Sequence, residues 1–165
     1  MPTLPLIVVM GPSGSGKSTI GAALAAELGV PFMDADDLHP ASNVAKMAAG
    51  QPLDDDDRWP WLRLVGEALA AASDTGLVMA CSALRRRYRD AIVAEAPGTV
   101  FVELHGTRAL LAERMGAREG HFMPSSLLDS QLATLESLGD DERGVRVDVS
   151  GTVPEIVADV IARVR

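Results

Sequence analysis

The sequence predicts an α/β fold in three layers, a five-stranded parallel sheet between two layers of helices. Three observations predict it. Short apolar runs alternate with longer amphipathic stretches along the whole chain. The first run, Leu6-Ile7-Val8-Val9-Met10, shows no polar alternation, as expected of a strand covered on both faces. It leads directly into Gly11-Pro12-Ser13-Gly14-Ser15-Gly16-Lys17-Ser18, which satisfies G-x-x-x-x-G-K-S/T at every fixed position, and Thr19 to Leu28 follows as a helix. Glycines let such a loop turn its N–H groups inward on phosphate oxygens, at the positive end of the helix. Lys17 would bring a charge to the β- and γ-phosphates, and Ser18 a hydroxyl to Mg²⁺. The rival, an ordinary glycine-rich turn, does not account for this placement after a buried strand. The sequence therefore predicts binding of a nucleoside triphosphate.

Composition sets the outer bounds. A chain of 165 residues fits one domain, and with 47% hydrophobic but 4% aromatic residues its core must be aliphatic. A formal net charge of −8 argues against a nonspecific nucleic-acid binder, which needs a basic footprint. It does not argue against a small anionic substrate held by a few local arginines. One cysteine permits neither an internal disulfide nor a cysteine metal cluster. Met1 to Pro5 lacks a basic leader and runs straight into the nucleotide loop, and no apolar run approaches membrane-spanning length. These features predict a soluble cytoplasmic protein.

Leu4 to Met10 is the first strand. The helix from Lys17 places Ile20, Leu24 and Leu28 on one side, and Gly29 supplies its C-cap. Val30 to Met33 is a second strand that delivers Asp34, Asp36 and Asp37 to its carboxyl end, where ligands of open α/β sheets gather. If extended geometry persists, Asp34 and Asp36 point one way and Asp37 the other. One carboxylate could take a proton from a substrate hydroxyl while another organises Mg²⁺ through water; a solvated turn or N-cap is the alternative, and fits at least one of the three.

Pro40 to Ala49 predicts a helix with Val44, Met47 and Ala48 on its apolar side. Asp54 to Asp57 suits a helix N-terminus, where negative charge is favoured. Arg58 stands beside both tryptophans of the chain, Trp59 and Trp61, whose indoles suit packing better than ligand stacking. That helix continues to about Ala72. Leu77 to Cys81 is the third strand, followed by Arg85-Arg86-Arg87-Tyr88-Arg89, a cationic run that a helix cannot aim in one direction. Phosphate or carboxylate binding by one or two of these arginines is expected, the rest being solvated. Cys81 has no activating base beside it and reads as a small buried residue.

Thr99 to Leu104 is a fourth strand, and Thr107 caps a helix running to about Gly116 with Leu110, Leu111 and Met115 inward. Arg114 and Arg118 lie four apart on one face. Glu119 to Pro124 then mixes polar, apolar and helix-breaking residues before a helix over 125–135, as a closing lid would read. Val145 to Val149 is the fifth strand and Val153 to Val164 the closing helix. The order of strands in the sheet does not follow from periodicity. The whole is a nucleoside-monophosphate-kinase-like P-loop fold. Its third strand ends in Cys81-Ser82 rather than a plain Walker B aspartate, and no Asn-Lys-x-Asp motif is present, so a small phosphoryl acceptor opposite the nucleotide fits best.

Beyond the nucleotide loop, several stretches together resemble the gluconokinases of the shikimate-kinase-like P-loop kinases. They are Gly11 to Thr19; Asp36 to Pro40 with Asn43, Lys46 and Met47; Gly50 to Leu62; Cys81 to Leu84 with Arg86, Tyr88, Arg89 and Asp90; and Gly120 to Gln131 with Leu135-Glu136. Pro12 in the loop and Ser137 after Leu135-Glu136 depart from the family pattern without removing a chemical group. The resemblance implies MgATP-dependent phosphorylation of D-gluconate at its 6-hydroxyl. It implies Asp36 as the residue that orients or deprotonates that hydroxyl, Arg58 as partner of the carboxylate, and Arg89 as a weaker second partner. Arg118, with Arg114, would meet the nucleotide phosphates. His121 and Gln131 would serve substrate contact or closure within a lid over 119–130, and Asp34 would hold Mg²⁺ waters beside Ser18. A homodimer is implied as well. Shikimate or another polyol acid as acceptor, and a nucleotide-dependent switch without catalysis, are the competing readings.

Overall fold

The computed structural model describes residues 5–12, 14–116 and 125–164. Five strands, β1 (Leu6–Met10), β2 (Phe32–Asp34), β3 (Leu77–Ala80), β4 (Val100–His105) and β5 (Gly144–Asp148), form one parallel sheet in the order β2-β3-β1-β4-β5. Helices α1 (Lys17–Leu28), α2 (Ala41–Ala48), α3 (Asp55–Ala71), α4 (Arg86–Glu95), α5 (Arg108–Gly116), α6 (Ser125–Thr134) and α7 (Val153–Val164) connect them. The three-layer α/β architecture expected from the sequence is present.

Strand parity divides the core in two. Ile7, Val9, Val78, Val102 and Leu104 face α1, α5 and α7, meeting Ile20, Leu24, Leu111, Ile156 and Val160. Val8, Met10, Met79 and Phe101 face α3 and α4, meeting Leu62, Val65, Leu69 and Ile92. β1 is central and its Ile7 to Met10 are fully buried, which is why its sequence is a continuous apolar run. α3 and α4 approach closely because position 66 is glycine: a Cβ there would stand 2.6 Å from Glu95 Cβ and 3.1 Å from the Ile92 carbonyl oxygen.

Local signals explain the helix ends. Gly29 takes φ 71° and caps α1, and Thr107 Oγ1 accepts from the Leu110 N–H at the start of α5. The aspartate run is a reciprocal cap: Asp54 Oδ1 accepts from the Asp57 N–H while Asp57 Oδ2 accepts from the Asp54 N–H.

Two expectations are corrected. β2 ends at Asp34, and residues 35–38 coil into a 3₁₀ turn, so extended alternation does not place Asp34, Asp36 and Asp37. The Asp34 carboxylate accepts the Asp36 N–H at 2.9 Å, stabilising that turn. On α2 the expected apolar side stays out of the core, with Val44 51% and Met47 44% exposed, Met47 lining a cleft; the buried residue is Asn43. Smaller shifts move β4 and β5 by one residue each.

Candidate active site

The nucleotide loop joins the central strand to α1. Gly14 and Gly16 adopt φ of 83° and 88°. A Cβ on Gly14 would lie 2.5 Å from the Leu111 carbonyl oxygen, so the loop needs glycine there for conformation and for space. Pro12, the unusual residue of the motif, presents a carbonyl that accepts from Ser15 Oγ at 2.6 Å, the Ser15 N–H at 3.2 Å and Lys17 Nζ at 3.2 Å. The first turn of α1 carries no acidic side chain of its own, as suits a helix end that meets phosphate. Gly14, Ser15, Gly16, Thr19 and Arg114 line one pocket together with Gly151, Val153 and Ile156 of the last segment. Arg114 reaches this pocket from α5, beside the loop. Ser13, Arg118, His121 and the 119–124 part of the expected lid lie outside the described residues.

Ser18 and Asp34 meet. Ser18 Oγ donates to Asp34 Oδ2 at 2.9 Å, because β2 pairs with β3 close to the start of α1. Among the described residues no cluster of three or more His, Cys, Asp or Glu side chains could hold a metal by itself.

Across from the loop lies a second cleft. Asp36, His39, Arg58, Tyr88 and Gln131 bring polar groups to it, and Met47, Pro52, Leu53, Trp61 and Leu84 form apolar walls. Asp36 opens onto the cleft, yet the surrounding protein raises its pKa, chiefly by burial and then by the charge of Asp34, against the opposing pull of His39 and Lys17. Arg58 Nη1 donates to Asp55 Oδ1 and to Tyr88 Oη, each at 3.2 Å, and Tyr88 Oη donates to the same Asp55 oxygen at 2.7 Å. The guanidinium carbon is 5.3 Å from the Tyr88 ring centroid. Asp55 and Tyr88 thereby hold a half-buried arginine beside the cleft; both lie in stretches that carry the family resemblance, but neither is assigned a role by the sequence. Trp61 is buried with Nε1 donating to the Ala35 carbonyl at 2.7 Å, and the His39 ring stacks on it. Packing is thus the role of Trp61, as its composition suggested.

Arg89 is a correction. It is 1% exposed and does not line the cleft. Its Nε and Nη2 donate to the two Glu142 carboxylate oxygens at 2.7 and 3.0 Å, and its Nη1 to the Ala83 carbonyl at 2.9 Å. Arg86 instead pairs with Asp141 on the surface and Arg87 with Asp55. Arg86, Arg87 and Arg89 of the cationic run are therefore spent on protein carboxylates. Ala83, held by Arg89, has φ 43°, a conformation uncommon for alanine, in the turn after β3. Cys81 is buried and its thiol pKa is pushed up to about 12, mainly by burial. Glu103, fully buried in β4, was not singled out by sequence; it accepts from Ser137 Oγ at 3.1 Å, the Leu138 N–H at 2.8 Å and Arg146 Nε at 3.1 Å.

A phosphate loop on the central strand, facing an acceptor cleft with a carboxylate and an arginine, defines a P-loop kinase of small molecules. A family model described as an AAA domain matches residues 6–138. The chain is 48% identical over 160 residues to a gluconokinase of Gluconobacter oxydans, covering 95% of this chain and 89% of that one. It is 41% identical to the thermoresistant gluconokinase of Escherichia coli, with 94% and 91% covered. The crystal structure of a gluconokinase from Sinorhizobium meliloti superposes with a TM-score of 0.87 at 54% identity, over 96% of this chain and 90% of that one. The chain belongs to the gluconokinase family. A shikimate kinase from Bacteroides thetaiotaomicron, 16% identical with a TM-score of 0.67, shares the fold.

Proposed function

We infer that this chain is a gluconokinase, transferring the γ-phosphoryl group of ATP to the 6-hydroxyl of D-gluconate to give 6-phospho-D-gluconate and ADP. The observation that carries the reading is the pairing of a complete phosphate loop with an acceptor cleft holding Asp36 and Arg58, in a chain 48% identical to a gluconokinase. The protein's task in such a transfer is to position the alcohol in line and to neutralise the spreading charge.

Loop N–H groups, with Lys17, hold the phosphates. Ser18 and Asp34 fit Mg²⁺ delivered with the nucleotide: one hydroxyl and one carboxylate already 2.9 Å apart suit an ion that keeps most of its ligands as water and phosphate oxygens. That ion would supply charge neutralisation between the phosphates. Asp36 orients the 6-hydroxyl and accepts its proton; its raised basicity suits that task. Arg58 takes the gluconate carboxylate with its planar fork. Gln131, on α6, reaches the same cleft and completes the acceptor contacts. Arg114, with Arg118, belongs to the phosphate side, and His121 to the closure. A homodimer in the cytoplasm is part of the same proposal; no helix among the described residues is long and apolar enough to cross a membrane.

The test is ADP release with MgATP and separate acceptors: D-gluconate, shikimate, 2-keto-gluconate, glycerate, AMP and none. Turnover with gluconate far above the others is expected. A folded, ATP-binding protein with no acceptor-dependent turnover overturns the reading.

A further inference from the structure

His39 lines the acceptor cleft, and neither the phosphate chemistry nor the carboxylate anchor uses it. Its ring lies on Trp61 with centroids 4.2 Å apart and planes 15° from parallel. Trp61 is itself fixed through Nε1 to the Ala35 carbonyl, so the plane of the imidazole is set. Rotation within that plane is set by Asn43, only 2% exposed, whose Nδ2 lies 2.9 Å from the Asp57 carbonyl oxygen and 3.2 Å from His39 Nδ1.

These contacts decide where the imidazole hydrogen sits. A carbonyl oxygen only accepts, so the amide nitrogen of Asn43, and not its oxygen, must face Asp57. The second hydrogen on that nitrogen then points at His39 Nδ1, which must accept it. An accepting Nδ1 carries no hydrogen, so the hydrogen is on Nε2. Protonating Nδ1 would oppose two donors. Burial first, and the Arg58 charge after it, hold the imidazole pKa below its ordinary value although Asp36 pulls the other way. The Nε2 edge has no hydrogen-bond partner among the described residues and is not enclosed, since none of their buried side-chain nitrogens or oxygens lacks a partner. With Nδ1 engaged by Asn43, Nε2 is the remaining polar atom of a ring that lines the cleft.

We propose that His39 orients the acceptor, its Nε2–H donating one directionally fixed hydrogen bond to a hydroxyl oxygen of the polyol chain. A neutral donor suits a hydroxyl, while Arg58 in the same cleft suits the carboxylate. The cleft would thus distinguish a polyhydroxylated acid from one lacking that hydroxyl. This rests on the gluconate reading of the cleft.

The experiment compares wild type, His39→Ala, His39→Asn and His39→Gln on D-gluconate and on D-gluconates each lacking one hydroxyl. His39→Ala should raise the gluconate KM by about tenfold, the worth of one neutral hydrogen bond, with the MgATP KM and thermal midpoint little changed. Glutamine, whose amide nitrogen reaches the Nε2 position, should recover most of the loss; asparagine, which reaches only the Nδ1 position, should not. One deoxy substrate, already weak with wild type, should lose nothing further on His39→Ala. The ¹⁵N spectrum of His39 should show the Nε2–H tautomer. A gluconate KM unchanged in His39→Ala, equal losses across all deoxy substrates, or hydrogen on Nδ1 overturns the assignment while leaving the gluconate reading intact. A wild-type protein that binds MgATP yet turns over no gluconate overturns both.

Discussion

Arg89→Met removes a guanidinium that is 1% exposed and bonded to both oxygens of Glu142, itself 7% exposed at the side chain. The Glu142 carboxylate would keep the Gly139 N–H at 2.8 Å and a distant Arg86 at 3.8 Å, and the Ala83 carbonyl would lose its donor. Breaking a buried pair from one side costs about 3–5 kcal/mol. In a domain of this size each kcal/mol moves the thermal midpoint by about 2–4 °C, so a drop of roughly 10 °C is expected. Arg89→Met/Glu142→Leu, which removes both charges, should recover part of it. The pairing also fixes a pH dependence. Burial pushes the Glu142 pKa up, but its bonds to Arg89 and to the Gly139 N–H prevail and hold it below its ordinary 4.5. Its stabilisation is therefore complete above 4.5 and is lost as pH falls through the lower, folded value, so the gap between wild type and Arg89→Met should narrow in acid. Calorimetry across pH reads the stability, and steady-state kinetics below the midpoint should give a gluconate KM near that of wild type, because Arg89 does not line the cleft. An unchanged midpoint with a strongly raised gluconate KM would refute the structural role and return Arg89 to the substrate.

Arg58→Ala should raise the gluconate KM by about 30-fold, the worth of a charge-assisted contact, with ATP affinity near normal; equal weakening of both ligands in a folded variant would remove Arg58 from the carboxylate. Lys17→Ala should abolish turnover while circular dichroism and thermal midpoint stay near wild type; undiminished kcat would sink the phosphate-loop assignment. Cys81, with its thiol near 12 and buried, should resist thiol reagents at pH 8 until the protein unfolds, so rapid labelling of native protein would contradict its burial.

Elements whose pattern is set by local forces were legible in the sequence. Leu6 to Met10 reads as a buried strand because both its faces are covered, and Gly29 and Asp54 mark helix ends through their own backbone chemistry. The nucleotide loop was legible for the same reason. Readings failed where a partner distant in sequence decides. Arg89 is a weaker second carboxylate partner by resemblance alone, and nothing local reveals Glu142, 53 positions away. Glu103 went unnoticed because its partners, Ser137, Leu138 and Arg146, come from segments 34 to 43 positions on. α2 has helical periodicity, but the surface it packs against is the Asp57 turn, reached by Asn43, so Val44 and Met47 remain outside. The acidic turn at 34–37 looked extended because one serine hydroxyl and one backbone N–H, both invisible to periodicity, bend it.

The position of β1 in the middle of the sheet has a consequence for the making of the protein. Its neighbours are β3, some 70 residues later, and β4, more than 90 residues later. Gly11 N–H donates to the Ser82 carbonyl, Gly14 lies against the Leu111 carbonyl, and the pocket beside the loop is closed by Gly151, Val153 and Ile156. A chain emerging from the ribosome therefore presents the nucleotide motif first and completes the nucleotide site last. Until α7 has been synthesised, the growing chain carries the signature of an ATP-binding protein without the pocket, and its central strand waits with unpaired edges for segments not yet made.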